Sequence, residues 1–285
     1  MTSEGSGFAE VAGIRLWFKV VGRGPICLVP SPGWGMSIDL YAETLGWLGD
    51  AFTLVFIDSR GSGRSGRPAS TADYGYARHS ADLEGVRRHL GAGKVWVLGH
   101  SMAGVQAMRF ALDYPGSVAG LLLIGTYAEA DEAYAAEVER RKALRAAEPW
   151  YRTVDWGGIE TDVQLKEALS TALPLYFHKA EAMPGYRRLF ETSTYSGHAY
   201  RGWLECDSGT VSMLDAVGSI QCPTLLVVGE GDFVCPPSCS RRIRERVPRA
   251  ELAEIAESGH FPWIEQPASF ERHVRVFLSR QAVSG

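Results

Sequence analysis

A chain of 285 residues, 46% hydrophobic and 22% charged, is long enough to bury one large core, or one core with an inserted subdomain. Its formal net charge of −4 gives no electrostatic case for a nucleic-acid or anionic-membrane partner, either of which would favour a clustered basic excess. The polar opening residues, and the lack of any window near the roughly 18 apolar residues that span a bilayer, lead to the expectation of a soluble, cytoplasmic protein.

In chain order, short apolar or β-branched runs alternate with amphipathic ones. Residues 8–11 and 14–21 flank Ala12-Gly13 and predict an antiparallel hairpin. Residues 26–29, 52–57, 95–98 and 121–124 predict buried strands, and 76–90 a helix closed by Gly91. This alternation predicts an α/β fold with a mostly parallel sheet flanked by helices. Near Tyr127 the pattern gives way to charged helix and aromatic-rich segments, and it resumes at Pro223-Thr224-Leu225-Leu226. We read the excursion as an inserted helical cap over 128–213, with the core formed by 1–127 and 214–285. Its density of large rings suits a water-excluding pocket lining. The five cysteines are odd in number and scattered, which does not suggest a secreted disulfide framework. Cys235-x-x-x-Cys239 has no second pair that would make it a zinc motif.

The chemistry concentrates in Val95-Trp96-Val97-Leu98-Gly99-His100-Ser101-Met102-Ala103-Gly104, an apolar strand entering a small-x-Ser-x-small turn and then a helical pattern. That is the sequence form of a nucleophile elbow, where small neighbours let a serine sit on a sharp strand-to-helix turn. A serine nucleophile needs a general base and a carboxylate to orient it. Among seven histidines, His79, His89 and His273 fall in amphipathic helices, His178 and His198 fall in the cap, and His100 is too close in sequence to reach back to Ser101. His260, in the turn-forming Glu257-Ser258-Gly259-His260-Phe261-Pro262 after a strand-like run at 252–255, is the expected base. Asp232, after the strand ending at Gly229, is the expected acid, with Glu230 as the alternative. The order Ser, Asp, His is that of the α/β hydrolases.

Three blocks carry a resemblance to that superfamily over nearly the whole chain, and to its capped branch of proline iminopeptidases and related esterases and lactonases. They are Asp58-Ser59-Arg60-Gly61-Ser62-Gly63-Arg64-Ser65, the Ser101 elbow, and Ser258-Gly259-His260-Phe261. We read the first as a structural turn supporting the elbow. The resemblance implies an oxyanion hole from the N–H of Met102 and one from the loop Pro30-Ser31-Pro32-Gly33-Trp34-Gly35. Prolines cannot donate, so Gly33 or Trp34 is the second donor. The loop departs from the His-Gly-Gly-Pro pattern of relatives, which predicts a formed hole of altered shape.

Candidate pocket residues are Trp34, Tyr151, Tyr176, Trp203, Glu205, Phe233 and Phe261. Phe233, following Asp232, leaves the amine recognition of an aminopeptidase incomplete. The expected function is therefore a serine hydrolase acting through an acyl-enzyme on a small to medium apolar ester or lactone, without cofactor or metal. The alternatives are a prolyl aminopeptidase, a C–C bond hydrolase, a cofactor-free oxygenase or perhydrolase, and a ligand-binding receptor on the same scaffold. The expected partner is a small-molecule substrate, and the oligomeric state stays open.

Overall fold

The computed structural model describes residues 4–33, 35–206 and 211–283. Eight strands form one sheet in the order β1-β2-β4-β3-β5-β6-β7-β8. The strands are β1 Gly5–Val11, β2 Ile14–Gly22, β3 Ile26–Pro30, β4 Thr53–Ile57, β5 Val95–His100, β6 Val118–Ile124, β7 Thr224–Gly229 and β8 Ala250–Ile255. The hairpin β1–β2 and the β2–β4 pair are antiparallel, and every pairing from β4 to β8 is parallel. Ala12 and Gly13 take positive φ values of 48° and 79°, the left-handed pair that a two-residue hairpin requires.

Because side chains alternate across a strand, each central strand feeds two cores. Val29, Phe56, Leu98, Ile124 and Val227 face one side, while Leu28, Val55, Val97, Leu123 and Leu226 face the other. This double burial explains why the central strands read as continuous apolar runs. Helices α1 Asp39–Thr44, α2 Tyr76–His89 and α3 Met102–Asp113 follow strands in the first half of the chain.

Between β6 and β7 the chain leaves the sheet and runs through α4 Glu132–Arg145, α5 Asp162–Tyr176, α6 Pro184–Thr192 and α7 Gly197–Cys206. Helix α4 buries none of its residues. Helix α5 starts from a capping box in which Thr161 and Gln164 satisfy each other's backbone N–H groups. Its Leu165, Leu169, Leu173 and Tyr176, spaced four, four and three, form one apolar stripe directed at the core below. Helices α8 Pro237–Arg246, α9 Pro262–Glu265 and α10 Pro267–Val283 complete the fold. Among the described residues, no helix is long and apolar enough to cross a membrane.

Candidate active site

The carboxyl ends of β3, β5, β7 and β8 lie along one edge of the sheet, where open α/β sheets assemble their sites. At the end of β5, Ser101 has φ 57° and ψ −128°, outside the conformations an L-residue adopts without strain. Its N–H donates to Ile124 O at 3.0 Å, and Thr126 Oγ1 donates to Ser101 O at 2.8 Å. The small neighbours are sterically required. A β-carbon on Gly99 would lie 2.5 Å from Ala103 O, and one on Gly104 would lie 2.4 Å from Thr126 Oγ1.

After β7, Asp232 is buried, and its Oδ1 accepts the N–H groups of Val234 and Cys235, both at 2.9 Å. Its Oδ2 lies 2.7 Å from Nδ1 of His260, which is also buried. Glu230, the alternative acid, has an exposed side chain. The His260 backbone N–H donates to Tyr176 O at 2.7 Å, and the Glu265 carboxylate accepts the N–H groups of Gly259 and His178. The end of α5 is thereby tied to the loop carrying His260. Burial raises the Glu265 carboxyl above the usual carboxylate range, against the pull of those N–H donors. Gly259 is needed for this approach, since a β-carbon there would meet Tyr176 O at 2.3 Å.

Ser101 and His260 both line a cavity of about 60 Å³. Pro32, Gly33, Met36 and Leu40 form one wall. Leu169, Leu173 and Tyr176 of α5, with Phe190, Tyr195 and Phe261, form the other. Among the described residues this lining holds no Asp, Glu, Lys or Arg. The Tyr195 hydroxyl donates to Phe190 O at 2.7 Å. Gly33 packs directly on Met102, because a β-carbon on it would fall 2.3 Å from Met102 Sδ. Met102 heads α3, where first-turn N–H groups have no intrahelical acceptor. Trp34 lies outside the described residues.

A family model described as alpha/beta hydrolase fold matches residues 26–267. The chain belongs to the alpha/beta hydrolase family. Proline iminopeptidase PfmaB from Pestalotiopsis fici is 24% identical over 282 residues, covering 96% of this chain and 99% of its own. A proline iminopeptidase-related protein from Thermus thermophilus shares the fold with a TM-score of 0.80 at 23% identity, covering 98% of both chains. The esterase RhEst1 from Rhodococcus sp. ECU1013 does so with a TM-score of 0.77 at 21% identity, covering 98% of this chain and 99% of its own.

Within this alpha/beta hydrolase, four residues expected at the pocket sit elsewhere. Glu205 is exposed on α7 and lies 3.7 Å from Arg201. Trp203 donates its indole N–H to Tyr76 Oη at 3.1 Å and does not line the cavity. Tyr151 is half-buried and packs against the main core without reaching the cavity. Phe233 meets Tyr176 edge-on at 5.2 Å and lines a separate depression with Arg141, Arg145 and Lys179. Tyr176 and Phe261, also expected at the pocket, do line it. Ring content alone is an incomplete guide, since it ignores which helix face points inward. The α5 stripe of Leu169 and Leu173 is the signal the sequence offers.

The Asp58–Ser65 loop of this hydrolase acts as a brace. Asp58 accepts Ile38 N–H at 2.9 Å and Arg64 Nε at 2.7 Å, while Arg60 forms a buried pair with Asp82 at 2.6 Å. Ser31 Oγ accepts Ser59 N–H at 3.1 Å, which ties this loop to the one carrying Gly33. Among the described residues, no group of three or more His, Cys, Asp or Glu side chains is placed to hold a metal ion.

Proposed function

We propose that this hydrolase acts through an acyl-enzyme on a small to medium, neutral, apolar carboxylic ester or lactone. Ser101 Oγ attacks the carbonyl carbon while His260 Nε2 takes its proton, and Asp232 holds the opposite ring nitrogen and stabilises the imidazolium. The N–H of Met102, with one from Gly33 or Trp34, receives the oxyanion. His260 returns the proton to the departing alkoxide, then deprotonates the water that frees the acid.

The observation that carries this reading is the buried 2.7 Å Asp232–His260 pair opening, with Ser101, onto one uncharged cavity. An amine-bearing substrate would need a carboxylate in that wall, because burying an unpaired ammonium is costly. Glu205, the acidic residue among the candidate pocket residues, instead lies exposed beside Arg201 on the surface of α7. A second reading, prolyl aminopeptidase, is favoured by the name of the relative PfmaB.

The deciding test is kcat/KM on a short-chain aryl ester and on a prolyl arylamide, with Ser101→Ala as control. Preference for the ester, lost in the variant, is expected. Efficient prolyl cleavage would overturn the substrate class, and a wild-type rate in Ser101→Ala would overturn the mechanism.

A further inference from the structure

His100 cannot serve its neighbour Ser101 as a base, yet the fold buries it completely in the middle of the site. Both of its ring nitrogens are engaged. Nε2 lies 2.9 Å from the backbone carbonyl of His260, and Nδ1 lies 2.7 Å from the hydroxyl of Tyr41. A carbonyl oxygen only accepts, so Nε2 carries the proton. In a neutral ring Nδ1 is then an acceptor, and the Tyr41 O–H donates to it.

Burial first, and the neighbouring His260 second, push the His100 imidazole well below the usual histidine range. Tyr41 is fully buried, and its phenol is pushed well above the usual range by that burial, so it stays a donor. The ring is thus held neutral in one tautomer. Neutrality has a consequence, because the His100 and His260 rings are only 4.3 Å apart. A charged His100 would oppose the imidazolium that His260 forms during turnover.

The contacts around His260 give the arrangement its use. Its N–H is bound by Tyr176 of α5, its Nδ1 by Asp232 after β7, and its carbonyl by His100 of β5. Only the last tie comes from the strand that also presents Ser101. It therefore ties the His260 backbone to the residue that directly precedes Ser101.

We propose that His100 is a positioning residue: its Nε2–H anchors the His260 backbone to the strand carrying Ser101, and Tyr41 locks its ring for that purpose. This rests on the serine-hydrolase reading above. Trp263, which follows His260 on α9, steadies the same group. Its ring meets His100 edge-on at 4.8 Å, and its indole N–H donates to Thr44 Oγ1, one turn beyond Tyr41 on α1, at 2.9 Å.

The test compares His100→Leu, His100→Gln and Tyr41→Phe with the parent protein, by aryl-ester kinetics and by the rate of labelling with a fluorophosphonate probe. Glutamine can present an N–H donor near the original Nε2, whereas leucine fills space and donates nothing. His100→Leu is expected to lose about tenfold to a hundredfold in kcat with KM little changed, because a misplaced base costs rate more than binding. Labelling should slow in parallel, and His100→Gln should recover most of both.

Parental kcat in His100→Leu, or equal losses in leucine and glutamine variants, would overturn the proposal by reducing His100 to packing. If His100→Leu fails to fold, Tyr41→Phe decides: reduced kcat at unchanged KM supports the lock, and a parental rate overturns it. Undiminished labelling of Ser101→Ala would instead sink the serine-hydrolase reading, so the two failures are distinguishable.

Discussion

Gly125, the first residue after β6, lies so close to Asp232 that a β-carbon on it would sit 2.8 Å from the Oδ2 that faces His260. It would also lie 3.2 Å from His260 Nδ1. The glycine's φ of 44° belongs to the left-handed region, so any side chain there also carries backbone strain. Gly125→Ala should wedge the acid away from the histidine. The expected result is a loss in kcat/KM of about a hundredfold on an aryl ester, with a cooperative melt retained at lower Tm. Unchanged kinetics would show that the Asp232–His260 contact is not needed in this geometry.

Asp232→Asn isolates charge from shape. The amide keeps an oxygen for the Val234 and Cys235 N–H groups but can turn an N–H toward His260, favouring the tautomer in which Nε2 is protonated and cannot act as base. The expected loss in kcat is roughly ten-thousandfold with little change in KM. Circular dichroism and melting should confirm the fold. A loss below about tenfold would remove Asp232 from the mechanism.

The elbow, the hairpin and the strand ends that deliver Asp232 and His260 were legible because each is encoded within a few neighbouring residues. Gly99 relieves clashes with Ala103 and Gly104 inside its own turn. What escaped the sequence was tertiary. Gly125 is small because of Asp232, Gly259 because of Tyr176, and His100 matters because of a carbonyl 160 positions away. Of the described residues expected at the cavity wall, Tyr176 and Phe261 line it, and the others part from it for a different reason. Trp203 and Tyr151 are large rings, but helix and loop geometry turn them aside, whereas the plain leucines of α5 recur at the spacing that faces inward.

Stability at acid pH should depend on Glu84 of α2. Its carboxylate accepts from Arg87 Nε and Arg88 Nε, both at 2.7 Å, and the Arg87 pairing foremost lowers its pKa to about 2 from the ordinary 4.5. The native state therefore binds this proton more weakly than the unfolded chain does. The resulting stabilisation is complete above pH 4.5 and is lost as pH falls toward 2. Glu84→Gln should lower Tm at neutral pH by about 2–4 °C. The difference from the parent should shrink steadily between pH 4.5 and 2. A gap that stays constant across that window would mean the stabilisation is not electrostatic.

Leu173 tests whether the cavity sets substrate length. At roughly 10–15 Å³ for each water-sized group, a cavity of 60 Å³ admits about four to six such groups, which matches a short acyl chain. Leu173, on the inward stripe of α5, bounds that space beside Phe190 and Phe261. The parent should therefore prefer short aryl esters, with kcat/KM falling once the chain outgrows the wall. Leu173→Ala removes three carbons from the boundary and should move the optimum about two to three methylenes longer. Each newly buried methylene is worth up to about 0.8 kcal/mol, or roughly fourfold in kcat/KM. The cost in stability should fall near the lower end of the roughly 2–5 kcal/mol typical of buried leucine truncations, because the side chain already borders open space. A chain-length profile from acetyl to decanoyl esters measures the shift directly. An unmoved optimum, with the variant folded, would mean that the acyl group lies along a different wall.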